Sequence, residues 1–357
     1  MRYKIIFEFG FFTQIRIKFT YMRFSKNRFI ILLLIIIFFV GSGWGFLVHR
    51  TIHQLAIYQL PKSMQRFFYS YMDSLVKHSV RADLRRNEDS SEATKHFIDL
   101  EAFGDSAAWK MPLTWEDAIK EFSKDSLLKY GYVPYHIITI KNKLTNAFRF
   151  ADKDSILFYA ADIGHYIGDA NVPLHTTLNY DGQLTNQKGL HSLWESMIPD
   201  LELEQYNLYS KHKATYLNKP EEAIWQAIRR AHLLLTDVFE QEKGASKEFT
   251  DSTKFRIQIR NGREIKSYTA AFAREYNQRL KKTINEQLIY SADLIADFWY
   301  TVWVDAGKPD LSSLLSKPFG KKDKKKMKNE LKAYRTNDLV NKKLLIARQN
   351  SGSSGQQ

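Results

Sequence analysis

Apolar positions between residues 44 and 307 recur mostly at helical spacing. Over 49–60 they fall at Ile52, Leu55, Ala56 and Tyr58, and Pro61 ends the run. Residues 64–75 are amphipathic and rich in aromatic side chains, whereas 80–100 carry mixed charge and read as loop with short helix. A helix is predicted over 115–128, opened by Thr114 with Asp117 at its third position. Gly131 and Pro134 punctuate, and 136–150 forms the next helix. The strongest pattern is 152–169, with Ile156, Leu157, Tyr159, Ala160, Ile163 and Ile167. Residues 179–189 have no period, and Asp181-Gly182 marks a turn. Residues 220–240 read as helix, 243–264 as a polar excursion or mobile loop, and 265–305 as one long helix or two in line, stopped by Gly307 and Pro309. With no strand ladder or repeat apparent, the expectation is all-α, in one compact multi-helix domain from 44 to about 307.

The two ends differ from this body. Residues 29–40 are wholly apolar, follow Lys26 and Arg28, and precede Gly41-Ser42-Gly43. That is a signal-peptide layout over 1–43, with cleavage after Gly43. Met22 opens a segment of ordinary signal length, so 22–43 reads as the true signal and 1–21 as an over-extended start. The expected destination is export to the periplasm, the cell surface or the medium. The rival reading is a membrane anchor, because 29–48 is a twenty-residue stretch without a charge. At the other end, 308–357 reads as a basic, disordered and solvated tail. Its sharper reading is an arm for an anionic membrane surface, a cell-surface polymer or nucleic acid.

Charge follows the same division. The net charge is +14, but 1–43 carry seven Lys/Arg against one acid and 308–357 carry thirteen against four, which leaves 44–307 at −1. A near-neutral body argues mildly against a surface built to clamp polyanionic DNA or RNA. An apolar fraction of 44%, with 14% aromatic residues, suffices for a substantial core. There is no cysteine, which excludes disulfides, thiolate metal sites and cysteine lipidation.

The chemistry concentrates in 164–195. His165 and Asp169 are four residues apart, as are His191 and Glu195, and each pair falls on one face of a helix. Pro173 should end the first helix near Asn171 or Val172, which sends His175 off on a loop. Imidazole and carboxylate are zinc ligands, so the stretch points to a multi-metal hydrolytic site. Further candidates lie upstream: Trp44 followed by His49, Asp83 in Ala82-Asp83-Leu84-Arg85-Arg86, and His96 in His96-Phe97-Ile98-Asp99. His53 competes with His49, one helical turn away. His78, His136, His212 and His232 read as ordinary core or surface histidines. Asp99 reads as a surface acid, the alternative being a partner for an imidazole N–H, Asp162 as a helix-surface residue, and Phe298, Trp299, Tyr300 and Trp303 as core. Phe46, Tyr135 and Tyr166 are open candidates for a substrate pocket.

Taken in order, this series resembles the superfamily of bacterial zinc-dependent phospholipases C and single-strand-specific zinc nucleases. The resemblance covers 44 to about 307, and it implies a helical domain with a trinuclear zinc cleft. Carried over position by position, Asp83, His96, His165 and Asp169 would hold one Zn²⁺, and His175, His191 and Glu195 a second. The third would take His49, Asp169 as a bridge, and the α-amino nitrogen and carbonyl oxygen of Trp44, freed by cleavage. The implied reaction is in-line hydrolysis of a phosphodiester by zinc-activated water, with Asp83 as a further orienter or base. Glu195, the cysteine-free chain and the neutral body resemble the phospholipase branch, with phospholipid as substrate. The five-residue step from Trp44 to His49 resembles the nuclease or nucleotidase branch, with nucleic acid as substrate. A third possibility is a non-catalytic, zinc-stabilised envelope module that binds through its tail. A bridged cluster with open positions argues against that one.

Overall fold

A computed structural model describes residues 45–260 and 263–349. Trp44, the signal segment and the first part of the alternative anchor lie outside the described residues. Within the described part of that anchor, Leu47 is buried in the core, and Phe46 and Val48 are half-buried. Among the described residues no helix is long and apolar enough to cross a membrane.

The fold is helical apart from one β-hairpin. Helix α1 (Phe46–Gln59) is followed by α2 (Lys62–Ser70), α3 (Met72–His78) and the short α4 (Arg81–Arg85). Next come α5 (Trp115–Phe122), α6 (Lys124–Tyr130), α7 (Val133–Arg149) and α8 (Lys153–Ala170). The second half holds α9 (Pro220–Leu233), α10 (Leu235–Ser246), strands β1 (Phe255–Arg260) and β2 (Arg263–Tyr268), α11 (Ala270–Leu280) and α12 (Thr283–Asp305).

Helix α8 is the axis of the domain. Asp152 starts it by accepting a hydrogen bond from the Ser155 amide at 3.1 Å, and Asn171 caps it two residues before Pro173. From Ala160 to Ala170 every residue is buried, with α1, α7 and α12 packed around it. Trp299 of α12 is fully buried and donates to the Ala160 carbonyl at 3.1 Å. Phe298, Trp299 and Trp303 are core, as expected.

Two glycines let α1 lie directly on α8. A Cβ on Gly164 would sit 2.3 Å from His53 Nε2, and one on Gly168 would sit 2.8 Å from Ile52 Cδ1. Lacking both, the helices come close enough for the His49 and His165 rings to stack, with centroids 4.0 Å apart. This glycine pair therefore positions the candidate ligands.

Four expectations need correction. The 115–128 helix is two helices, α5 and α6, divided at Ser123, whose φ of 65° breaks the run. The described residues of 243–264 are not loop throughout: they close α10 and form β1, which pairs antiparallel with β2. The predicted 265–305 helix therefore loses its first residues to β2 and divides at Lys281, where φ is 57°. The C-terminal segment is basic but not a solvated tail. It forms α13 (Lys321–Arg335), which sets Met327, Leu331 and Tyr334 against the domain and keeps its lysines outward. Beyond it Leu339, Leu345, Ile346 and Ala347 are buried. Gln54 of α1 donates to the Leu344 carbonyl at 2.8 Å and accepts from the Ile346 amide at 2.9 Å.

Candidate metal centre

The structure brings eight of the nine candidate ligands into two neighbouring clusters. The ninth, Trp44, lies outside the described residues. His165 and Asp169 project from one face of α8, His49 comes from α1, Asp83 from α4, and His96 from the turn after Ala93–Lys95. His175 follows Pro173 on a 3₁₀ turn. His191 lies in a short helical turn (Leu190–Ser192), and Glu195 in the π-turn after it (Leu193–Met197).

In the first cluster Asp83 Oδ1 is 3.7 Å from His96 Nδ1 and 3.6 Å from His165 Nε2. His96 Nδ1 and His165 Nε2 are 3.1 Å apart. Asp169 Oδ2 is 2.8 Å from His96 Nδ1 and 3.4 Å from His165 Nε2. These five separations average about 3.3 Å. Ligands about 2.0–2.1 Å from a tetrahedral zinc ion lie about 3.3–3.4 Å from one another. His96, His165 and Asp169 thus have the spacing of a single ion's shell, while Asp83 falls within reach of His165 and His49 as a second such group. The other oxygen of Asp169, Oδ1, turns to His49 Nε2 at 3.3 Å. One carboxylate therefore faces two different sets of imidazoles, as a bridging ligand must.

In the second cluster Glu195 Oε1 lies 3.0 Å from His175 Nε2, and Oε2 lies 2.7 Å from His191 Nε2. His175 Nε2 is buried yet makes no aligned hydrogen bond, Glu195 included. Nitrogen and oxygen lie side by side rather than pointing at each other, which suits two donors aimed at a common third atom. Three protein donors leave a fourth position open, the arrangement of a catalytic metal site.

Backbone carbonyls hold the far ring nitrogens. His165 Nδ1 faces Ser79 O at 2.8 Å, His175 Nδ1 faces His96 O at 2.7 Å, and His191 Nδ1 faces Tyr180 O at 3.3 Å. Such contacts fix the tautomer that leaves the near nitrogen free for a metal. Behind His96 stands Glu92, 1% exposed, with Oε1 3.7 Å from His96 Nε2. Glu92 also receives Arg85, Lys95 and the Tyr166 hydroxyl. Burial works against its ionisation, but His96, Lys95, Tyr166 and Arg85 together hold its carboxyl far below the usual range. Sequence reading missed Glu92, although its four-residue step to His96 repeats the spacing of the two recognised pairs.

Without metal, the clusters satisfy their charges internally. Burial opposes ionisation of Asp83, but His165 and His49 hold it at about 2. Asp169 and Glu195 stand well below the usual carboxylate range, against burial, because of His165 and His191 respectively. His175 rises to about 9: burial lowers it, and Glu195 outweighs burial.

The remaining candidates separate clearly. His53 is no ligand: its nitrogens face the His49 and Ala161 carbonyls at 2.7 and 3.0 Å, and burial pushes it down to about 3. His212 pairs with Asp297 at 2.8 Å, and His232 faces Thr176 at 3.1 Å. Asp162 is not a surface acid: it is 3% exposed and bound by Arg81 and Arg85. Asp99 is buried too, and burial with nearby Glu101 raises it to about 7. Tyr166 is fully buried behind His96, and Tyr135 donates to the Pro112 carbonyl, so neither lines a pocket.

A small cavity of about 30 Å³ reaches one donor of each cluster, with His49 and Glu195 in its wall. Val48, Val172, Pro199, Ile284 and Leu288 make the rest largely apolar. Gly45, the first described residue, also lines it.

Neither a protein-family model nor a curated protein matches the chain.

Proposed function

We propose that this protein is a zinc-dependent phosphodiesterase of the phospholipase C type, cleaving the phosphodiester bond of phospholipids. The observation that carries the proposal is the pair of adjoining donor clusters, with Asp169 turning one oxygen to His96 and the other to His49. Asp83, His96, His165 and Asp169 would hold one ion, and His175, His191 and Glu195 a second. His49 and Asp169, with the freed N-terminus of Trp44, would hold a third. Bound zinc ions supply Lewis acidity for the phosphoryl oxygens and lower the pKa of water toward neutrality.

The chain's own groups position and exclude. The Ser79, His96 and Tyr180 carbonyls hold His165, His175 and His191 in one tautomer each, so no ring must reorganise as charge develops. Asp83 has the most exposed donor side chain of its cluster, 28% accessible, and is ionised at neutral pH. It would orient the attacking water by accepting a hydrogen bond from it. The residues around the cavity, Val48, Val172, Pro199, Ile284 and Leu288, are apolar and uncharged, which favours a lipid over a polyanion. Glu195 in the second His-x3-acid pair supports the same choice.

The test is hydrolysis of phosphatidylcholine vesicles against single-stranded DNA, each with and without chelator. Chelator-sensitive release of phosphocholine is expected. DNA cleavage alone would return the nuclease reading, and metal binding without either activity would return the binding module.

A further inference from the structure

The β1–β2 hairpin exposes side chains that the rest of the chain hides. Ile257, Ile259 and Ile265 are 63%, 76% and 44% exposed. Every other isoleucine among the described residues is buried or half-buried. The register places Ile257 opposite Lys266 and Ile259 opposite Glu264 on one face, with Ile265 opposite Gln258 on the other. A hairpin made to pack on a protein would concentrate its apolar residues on one face. Apolar residues on both faces suit a medium that surrounds it.

Charge points the same way. Residues 255–268 carry Arg256, Arg260, Arg263 and Lys266 against Glu264, a net +3 within a 44–307 body of −1. The base of the hairpin is fixed beside the site. Tyr268 is 2% exposed, its hydroxyl donates to the Glu242 carboxylate at 3.0 Å, and its ring lies against Gly189, two residues before His191. The loop that leads to His191 adds Tyr180 and Leu184, 54% and 71% exposed.

We propose that the paired strands β1 and β2 are a membrane anchor, whose isoleucines enter the headgroup region of an anionic phospholipid bilayer and whose Arg256 and Lys266 meet the lipid phosphates. It would deliver the site to substrate held in a bilayer. The proposal takes the phospholipid reading above as its reason for an anchor at this place, but its test reads binding rather than hydrolysis.

The full-length protein as exported is sedimented with vesicles of phosphatidylcholine containing phosphatidylglycerol. The triple variant Ile257→Ser, Ile259→Ser, Ile265→Ser is expected to bind about tenfold or more weakly, and high salt to weaken the wild type. Cleavage of a soluble short-chain phosphodiester should be unchanged. In a second variant, Ile259→Trp, the added tryptophan emission is expected to shift to the blue with vesicles. Undiminished binding by the serine variant, or no shift from the tryptophan, overturns the anchor. So does a wild-type dimer that the serine variant dissolves, because the open strand edges would then pair a second copy. Hairpin-dependent binding without lipid hydrolysis supports the anchor and sinks the phospholipase reading alone.

Discussion

Gly164→Ala tests whether the α1–α8 contact builds the site. The new methyl would sit 2.3 Å from His53 Nε2, about 1 Å inside ordinary contact. His53 cannot swing away, because the His49 and Ala161 carbonyls hold its ring and it is fully buried. The helices must therefore separate. Overpacking of this kind costs about 1–3 kcal/mol. Alanine returns up to about 1 kcal/mol of helix propensity. The net loss should be about 1–2 kcal/mol, or a fall in Tm of about 2–3 °C for a chain this size. Separation would also part His49 from His165, so metal affinity should fall with stability. Gly244→Ala is the control, because there the methyl meets only the flexible end of Arg279 at 3.2 Å. Thermal unfolding and a zinc competition titration read both effects. A Gly164→Ala protein with unchanged Tm and zinc affinity would refute the reasoning.

Further outcomes follow from the same contacts. Zinc takes neutral imidazole, and His175 holds its proton up to about 9 because of Glu195. The ion pair therefore stabilises the metal-free protein fully below about pH 6.5 and loses that contribution as pH rises through about 9. Zinc affinity should instead rise, by about tenfold per pH unit for each proton displaced, which competition titrations at several pH values would show. Glu92→Gln removes the charge behind His96 and should weaken zinc binding about 10–100-fold, read by the same titration. Deleting 309–357 should lower Tm by about 10 °C or more, since it strips partners from Gln54 and Tyr58 and takes buried Leu345 and Ile346 out of the core. An unchanged Tm would mean that the segment contributes nothing to the fold.

The site was legible where its geometry is local. His165 with Asp169 and His191 with Glu195 could be paired from spacing alone, because one helical turn sets their distance. The π-turn at Leu193–Met197 still brings the second pair together. Asp83, His96 and His49 reach the cluster through packing of separate elements, so only the ordered resemblance singled them out. Glu92 escaped because its segment shows no helical period. The hairpin carried a signal that went unread: Phe255, Ile257 and Ile259 alternate with polar residues before Asn261-Gly262, the strongest short hairpin signature. Its polar average suggested a loop. In α13 the run of lysines hid an apolar stripe at Met327, Leu331 and Tyr334, spaced four and three residues apart. Burial of Asp162 was invisible because its partners, Arg81 and Arg85, stand about eighty residues away.

The measurement closest to the central claim is metal content per chain, by elemental analysis of protein dialysed against metal-free buffer. Three zinc ions are expected in the wild type. Asp169→Asn should lose two together, because its oxygens face both His96 and His49, whereas Glu195→Gln should lose one. A wild-type content of one or none, or equal losses in the two variants, would contradict a cluster bridged at Asp169.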